Sequence, residues 1–258
     1  MAAANLTPAQ DLQGALDNIF NHPNAGPFVS RQLIQHLVKS NPSPAYVARV
    51  SAAFANNGQG VRGDMKAVLT AILLDPEARA NDNGGSDQAG DGHMQEPALF
   101  LAGVVRAFNG SMNSQNYFAS DLATMGEDIF NPASVFNYFS PGYVVPTTSL
   151  KGPEFQIFTP FTSLYRANLI SGDFNNYSGA VQTYGPGMTV DFTNYVALAG
   201  TPSALVDALD ITLTHGVMPA AMKQIIATAV QGETGGNLRR VQTALYLITA
   251  SNYYNVWH

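Results

Sequence analysis

The chain has 258 residues, of which 46% are apolar and only 12% charged, and its formal net charge is −6. With 12 lysines and arginines it offers a nucleic-acid backbone no basic surface, and the absence of cysteine excludes disulfides and thiolate metal sites. No apolar run is long enough to cross a membrane, and the first five residues lack the basic start and apolar core of a signal peptide.

Helix signals recur along the whole chain. Thr7-Pro8-Ala9-Gln10 combines an N-cap, a proline at the first helical position and a capping-box glutamine, which predicts a helix as far as Phe20. Capped or amphipathic segments predict further helices over 27–40, 43–56, 64–74, 94–108, 154–170, 201–214, 219–230 and 237–251. No run alternates with a period of two, so we predict an all-α fold. The segments 132–139 and 172–191 are expected to add one or two helical turns and, at most, a short β-hairpin.

Two parts of the sequence resemble each other. Residues 63–74 match residues 236–247 in type, and each copy follows a proline-started helix and a glycine-rich loop. Duplication explains this match, and so does convergence, because capped amphipathic helices look alike. We predict one domain, 1–258, in which three-helix modules at 7–80 and 201–258 flank an aromatic centre at 94–195.

The centre concentrates aromatic residues in sequence that has little charge. Residues 129–150 contain no charged side chain. We expect six phenylalanines of the centre in the core: Phe130, Phe136, Phe139, Phe155, Phe158 and Phe161. The interleaved tyrosines and asparagines predict a neutral groove for a glycan or protein partner, because tyrosine offers an apolar face and a polar tip. These candidate binding residues are Asn131, Asn137, Tyr138, Tyr143, Tyr177 and Tyr184. The alternative is a long loop held on the core by its own aromatic residues.

Two carboxylates are candidates for acid–base chemistry. Glu154 stands in the apolar stretch GPEFQIF, and Glu96 opens a predicted helix. A desolvated carboxylate has a raised pKa and acts as a general acid, so a pocket that brings both together would indicate a hydrolase. The alternative is a buried pair with an arginine such as Arg106 or Arg166 that fixes how helices pack.

Metal and nucleotide motifs have little support. The acidic loop 81–92 fails as an EF-hand because Ala98 occupies the position of the bidentate glutamate. Two interpretations of this segment stay open: a looser Ca²⁺ site formed by Asp82, Asp87 and Asp91, or a solvated loop. GQGVRG at 58–63 follows a helix rather than a strand, so it is read as a helix end and not as a dinucleotide site. No histidine pair has zinc spacing and no serine-hydrolase motif occurs, and we predict no cofactor.

Several long stretches are recognisable together. They are HPNAGPFVSRQLIQHLVKSNPSPAYVARVSAAF, GDMKAVLTAILLDPEAR, EPALFLAGVVRAF, NPASVFNYFSPGY, GPEF and NLRRVQTALYLITASNYYNV. From Ile19 onward the chain resembles the C-terminal half of the bacterial domain-of-unknown-function family numbered 1800 (DUF1800). The resemblance implies a helical fold, an extracytoplasmic location and, as a partner, an N-terminal half of the same protein. It implies no activity, cofactor or catalytic residue.

These observations favour a binding or scaffolding module of an exported bacterial protein. Such a module would contact a glycan or protein through the neutral aromatic face of the centre. The alternative function is a hydrolase with a carboxylate site near Glu154 and Glu96.

Overall fold

A computed structural model describes residues 6–80, 92–112, 117–173, 180–184 and 188–257. The chain divides into two compact units, and the boundary between them in the sequence lies between residues 91 and 92. The all-α prediction is confirmed, because helices make up most of the described residues and the strands are short. None of the helices in these ranges combines the length and hydropathy that a membrane span needs. The single-domain organisation stays a prediction.

The first unit contains four helices. They are α1 (Pro8–Asn21), α2 (Ala25–Leu37), α3 (Pro44–Ala55) and α4 (Met65–Leu73). Its core lies between α2, α3 and α4, where Ile34, Val50 and Ile72 are fully buried. The predicted capping box of α1 is confirmed, since Thr7 Oγ1 accepts from Gln10 N and Gln10 Oε1 accepts from Thr7 N.

The second unit is mostly helical and carries two small sheets. Its helices are α5 (Pro97–Ala107), α6 (Tyr117–Thr124), a 3-10 helix (Pro153–Gln156), α7 (Pro160–Asp173), α8 (Thr193–Leu198), α9 (Pro202–Thr214), α10 (Ala220–Gly232), α11 (Asn237–Thr249) and α12 (Asn252–Asn255). Its strands are β1 (His93–Met94), β2 (Ser111–Met112), β3 (Val181–Tyr184), β4 (Met188–Asp191) and β5 (Val256–Trp257). The strands β1 and β5 pair antiparallel, and β4 lies between β2 and β3 in an antiparallel sheet.

The three-helix modules at 7–80 and 201–258 stay a prediction. Each range contains three consecutive helices that pack in order, α2–α4 and α9–α11, beside a further helix, α1 or α12. In both, a proline-started helix leads through a glycine-containing loop into the last helix of the three. The segment 58–63 lies in the first of these loops, after the end of α3. Asn56 Oδ1 accepts from the backbone N–H groups of Gly58 and Gly60. The helix-end interpretation of GQGVRG therefore agrees with the observed loop.

The structure differs from the sequence prediction mainly in the centre. Residues 132–139 form turns instead of helical turns, and Asn137 adopts a left-handed φ of 74°. The helix predicted over 154–170 is split into the 3-10 helix and α7. Pro160 ends this interruption, because it disfavours helical backbone at Thr159 and is itself suited to the first position of a new helix.

Candidate functional site

Six polar side chains lie buried around β1 in the second unit, and we call them the buried polar cluster. Its members are almost inaccessible, with exposed fractions of 2–8%: His93, Gln95, Glu127, Glu154, Arg166 and Asn255. Burying so many polar groups costs free energy unless each one finds a partner. The cluster is therefore the first place to look for chemistry.

The elements that carry the cluster meet because β1 joins several of them. Pairing of β1 with β5 places His93 opposite Trp257. One residue beyond the end of β1, Gln95 N donates to Asn255 O at 2.8 Å. The 3-10 helix packs against β1 and supplies Glu154 from its first turn. The extended backbone of Glu96 then leads into Pro97, the first residue of α5. Distant parts of the sequence thus contribute to one site.

Arg166, on α7, is the cation of the cluster. Its Nη2 donates to Gln95 O at 3.0 Å and its Nη1 to Asn255 Oδ1 at 3.3 Å. The guanidinium also lies 5.2 Å and 4.9 Å from the ring centroids of Phe100 and Phe158. Burial lowers the pKa of Arg166 to about 10, and the nearby carboxylate of Glu127 opposes this shift. The charge is therefore held by neutral acceptors and aromatic faces, with Glu127 as its counter-charge.

Glu127 is the carboxylate that the sequence reasoning missed. Its Oε2 accepts from Ala98 N at 2.8 Å, in the first turn of α5, where the helix dipole favours negative charge. Burial nevertheless raises the pKa of Glu127 to about 7, and a hydrogen bond with the side chain of Glu96 contributes to the rise. A like charge at short range disfavours ionisation, so the neighbouring carboxyl group of Glu96 adds to the rise in the pKa of Glu127. The sequence signal was weak: Glu127 is simply the first of two acidic residues before the uncharged stretch.

Glu154 lies against a histidine. Its Oε1 lies 3.7 Å from His93 Nδ1, and both side chains are 2% exposed. The imidazole also packs edge-on against Trp257, with ring centroids 5.9 Å apart. Among the described residues, neither nitrogen of His93 nor Glu154 Oε2 has a hydrogen-bond partner. Of the two predicted acids, Glu96 therefore lies against Glu127 and Glu154 lies against His93.

A second candidate region is the uncharged stretch itself. Phe130 is 97% exposed, Val135 96% and Phe136 59%, so the prediction that Phe130 and Phe136 lie in the core is wrong. Phe161 is exposed as well, whereas Phe139 is buried as expected. We call Phe130, Val135 and Phe136 the apolar turn residues, since all three lie on the turns between Asp128 and Phe139. Of the residues between Asp128 and Phe139, Ile129 packs partly buried against the core and Phe139 is buried.

Local hydrogen bonds hold these turns. The hydroxyl of Tyr138 accepts from Phe130 N at 3.1 Å, and Asn131 Nδ2 donates to Asp128 Oδ2 at 2.8 Å. Asn137 N donates to the backbone oxygen of Ser134. Of the predicted binding residues, Asn131 and Asn137 are exposed, whereas Tyr138 and Tyr143 are half-buried. The half-buried tyrosines support the turns and leave the apolar turn residues as the outermost groups.

The remaining predicted site residues are not described in enough detail to place. Tyr177, Asp82, Asp87 and Asp91 lie outside the described residues, and for Tyr184 only the backbone in β3 is described. Within the described ranges, no group of three or more histidine, aspartate or glutamate side chains is arranged to hold a metal ion.

Comparison with known proteins gives one match. The model of a family described as "Protein of unknown function (DUF1800)" matches residues 2–256. No curated protein and no solved structure matches the chain.

Proposed function

The chain belongs to the DUF1800 family, and from that premise we propose that it is a binding module of an exported bacterial protein. Its contact surface consists of the apolar turn residues Phe130, Val135 and Phe136. One observation carries the proposal: Phe130 is 97% exposed and has a left-handed φ of 63°. Such a conformation costs a phenylalanine about 1–3 kcal/mol and gives the isolated chain no packing in return.

Exposed apolar groups of this kind favour association. Fully burying a Val or Phe side chain contributes about 1.5–3 kcal/mol, so three of them supply enough to anchor a small interface. Isolated exposed apolar residues are common on protein surfaces, but here three lie within seven positions of a stretch that has no charge. Because residues 129–150 carry no charge, burying this stretch itself desolvates no ion.

The turns are organised before any partner arrives. The Tyr138 hydroxyl fixes the backbone at Phe130, and Phe139 anchors the far end in the core with 3% exposure. A surface that is already ordered loses less conformational entropy on binding than a loose loop. This order supports a role in recognition.

The chemistry of the surface favours a protein over a glycan. Sugars stack on flat aromatic rings and need hydrogen-bonding groups beside them. Val135 offers no ring, and the Asn131 amide already donates to Asp128. An apolar pocket on a neutral protein surface fits Phe130 and Val135 better.

The experiment compares three forms of the chain as bait in an extracytoplasmic extract of the encoding bacterium. These are the wild type, Phe130→Ser/Val135→Ser, and the control Ile211→Ser, which removes an equally large residue that is 69% exposed on α9. We expect one protein to be retained by the wild type and the control and lost from the double variant. Equal retention by all three forms would refute the proposal, as would recovery of no protein. Unchanged thermal unfolding of the double variant would show that its fold is intact.

A second candidate function rests on the buried carboxyl of Glu127, whose pKa rises to about 7, with the side chain of Glu96 beside it. A carboxyl group whose pKa lies near neutral is suited to general acid–base hydrolysis, in which it accepts a proton from water and returns it to the substrate. Two carboxyl groups in direct contact lack the separation of roughly 5–10 Å that glycosidase acids need, so the pair fits peptide hydrolysis better. The test is hydrolysis of unfolded casein at about pH 5 to 7, which Glu127→Gln would abolish. No hydrolysis, or equal rates in both forms, would exclude this candidate.

A further inference from the structure

The first unit exposes an amphipathic helix that its own fold does not cover. No residue of α1 is buried. Leu12, Leu16 and Ile19 are 61%, 51% and 66% exposed, and their spacing of four and three residues places them on one stripe of the helix. Such a stripe normally packs against a core.

The helix is attached at its last turn. Arg62 donates to the backbone oxygen of Phe20 from both Nε, at 3.1 Å, and Nη2, at 3.0 Å. Its guanidinium lies 5.5 Å from the Phe20 ring centroid, and that ring lies 5.9 Å from Phe54. The three residues Leu12, Leu16 and Ile19 lie before this anchor. An isolated helix of about this length is marginal in water, so the apolar stripe is where further stabilisation is available.

A second exposed stripe begins close to the anchored end. Gly63 lies so near Phe20 that a Cβ there would come within 2.7 Å of the ring. Two residues later α4 starts, and its Met65, Leu69 and Leu73 are 42%, 39% and 49% exposed at a spacing of four. The first unit therefore exposes apolar residues at helical spacing on α4 as well as on α1.

Charge decides what kind of partner fits α1. The helix carries Asp11 and Asp17 and no lysine or arginine. Helical periodicity places these two acids on opposite sides of the stripe, each about 120° from its centre. Membrane-surface helices instead carry basic residues that attract anionic lipid, and a second copy of α1 would bring acid against acid. We propose that the α1 stripe docks an amphipathic helix of a partner protein whose apolar stripe is flanked by lysine or arginine.

The direct test uses two synthetic helical peptides of about 20 residues. Both have leucine at the stripe positions, and the flanking positions are lysine in one and glutamate in the other. We expect the lysine peptide to bind the wild-type chain at least about tenfold more tightly than the glutamate peptide. Leu12→Gln/Leu16→Gln should weaken the lysine peptide by at least about tenfold. Glutamine keeps helix propensity, so this loss reports the stripe and not the helix.

Two controls make the test decisive. Ile211→Gln alters an equally exposed residue on α9 and should leave affinity unchanged. Asp11→Lys/Asp17→Lys should reverse the preference in favour of the glutamate peptide. Equal binding of both peptides, or the same loss in the α9 control, would overturn the proposal. It would also be overturned if anionic phosphatidylglycerol vesicles bound the wild type while the lysine peptide did not, or if sedimentation showed self-association that Leu12→Gln/Leu16→Gln abolished. This surface lies in a different unit from the apolar turn residues, so it does not depend on the proposed function.

Discussion

Glu127→Gln should change how the stability of the second unit depends on pH. The pKa of Glu127 rises from 4.5 to about 7 in the folded chain, chiefly because the carboxyl is buried. Between these values the unfolded state loses a proton that the folded state keeps. The stability that this group contributes is therefore full below 4.5 and is lost as the pH rises through about 7.

The magnitude follows from the size of the shift. A rise in the pKa from 4.5 to about 7, at about 1.4 kcal/mol per pH unit, gives about 3.5 kcal/mol. Glu96 is only partly buried and admits solvent to the pair, so we reduce this to about 2 kcal/mol. Glutamine has the shape of the neutral acid and retains an oxygen that accepts from Ala98 N. Glu127→Gln should therefore match the wild type near pH 5 and exceed its free energy of unfolding by about 2 kcal/mol near pH 8.

The assay is urea unfolding followed by fluorescence of the single tryptophan. Trp257 lies on β5 beside His93, so its emission reports the unit that contains the cluster. Asp128→Asn, a change at the exposed neighbouring carboxylate, serves as the control and should shift stability equally at both pH values. If Glu127→Gln also differed from the wild type by the same amount at both, the raised pKa of Glu127 would be refuted.

Three further changes test other contacts. Arg166→Met should destabilise the second unit by about 3 kcal/mol near pH 8, since it leaves the Glu127 anion without its cation, and by less near pH 5, as urea unfolding would show. Tyr254→Phe should cost about 1–2 kcal/mol in the same assay, because its buried hydroxyl donates to Phe100 O at 2.8 Å. Asp75→Asn should lower the stability of the first unit at neutral pH, because it removes the ion pair with Arg49. The Arg49 guanidinium holds the pKa of Asp75 below its usual range. In the wild type the pair is therefore lost only as the pH falls through that lowered pKa. Circular dichroism at about pH 7 and pH 3 should show the two forms converging in acid.

The local signals in the sequence were enough for most helices. The Thr7 cap and the apolar periodicity of α3 or α11 are properties of neighbouring residues, and the structure reproduces those helices to within a few positions. The pairing of the carboxylates was not predictable in this way. Glu127 reaches Glu96 because the start of α5 and the segment after α6 lie close together in the fold. The sequence around either residue contains no pattern that predicts this contact.

The exposed phenylalanines show a different limit. An aromatic residue in an uncharged segment is normally placed in the core, since apolar burial dominates folding. Phe130 is exposed because its left-handed backbone turns it away from the packed side of the chain, a conformation that sequence does not mark in a phenylalanine. The prediction was wrong at a residue that we propose to be functional. At functional residues the preferences of the local sequence often disagree with the observed structure.

The most direct test of the binding proposal is a photo-crosslink from the apolar turn. A photoreactive phenylalanine analogue is placed at Val135 in one form and at Ile211 in another, two positions that are 96% and 69% exposed. Both forms are expressed in the organism that encodes the chain and irradiated. We expect one crosslinked protein from position 135 that is absent from position 211 and is lost when Phe130→Ser is added. Crosslinks that are identical from both positions, or unaffected by Phe130→Ser, would contradict it.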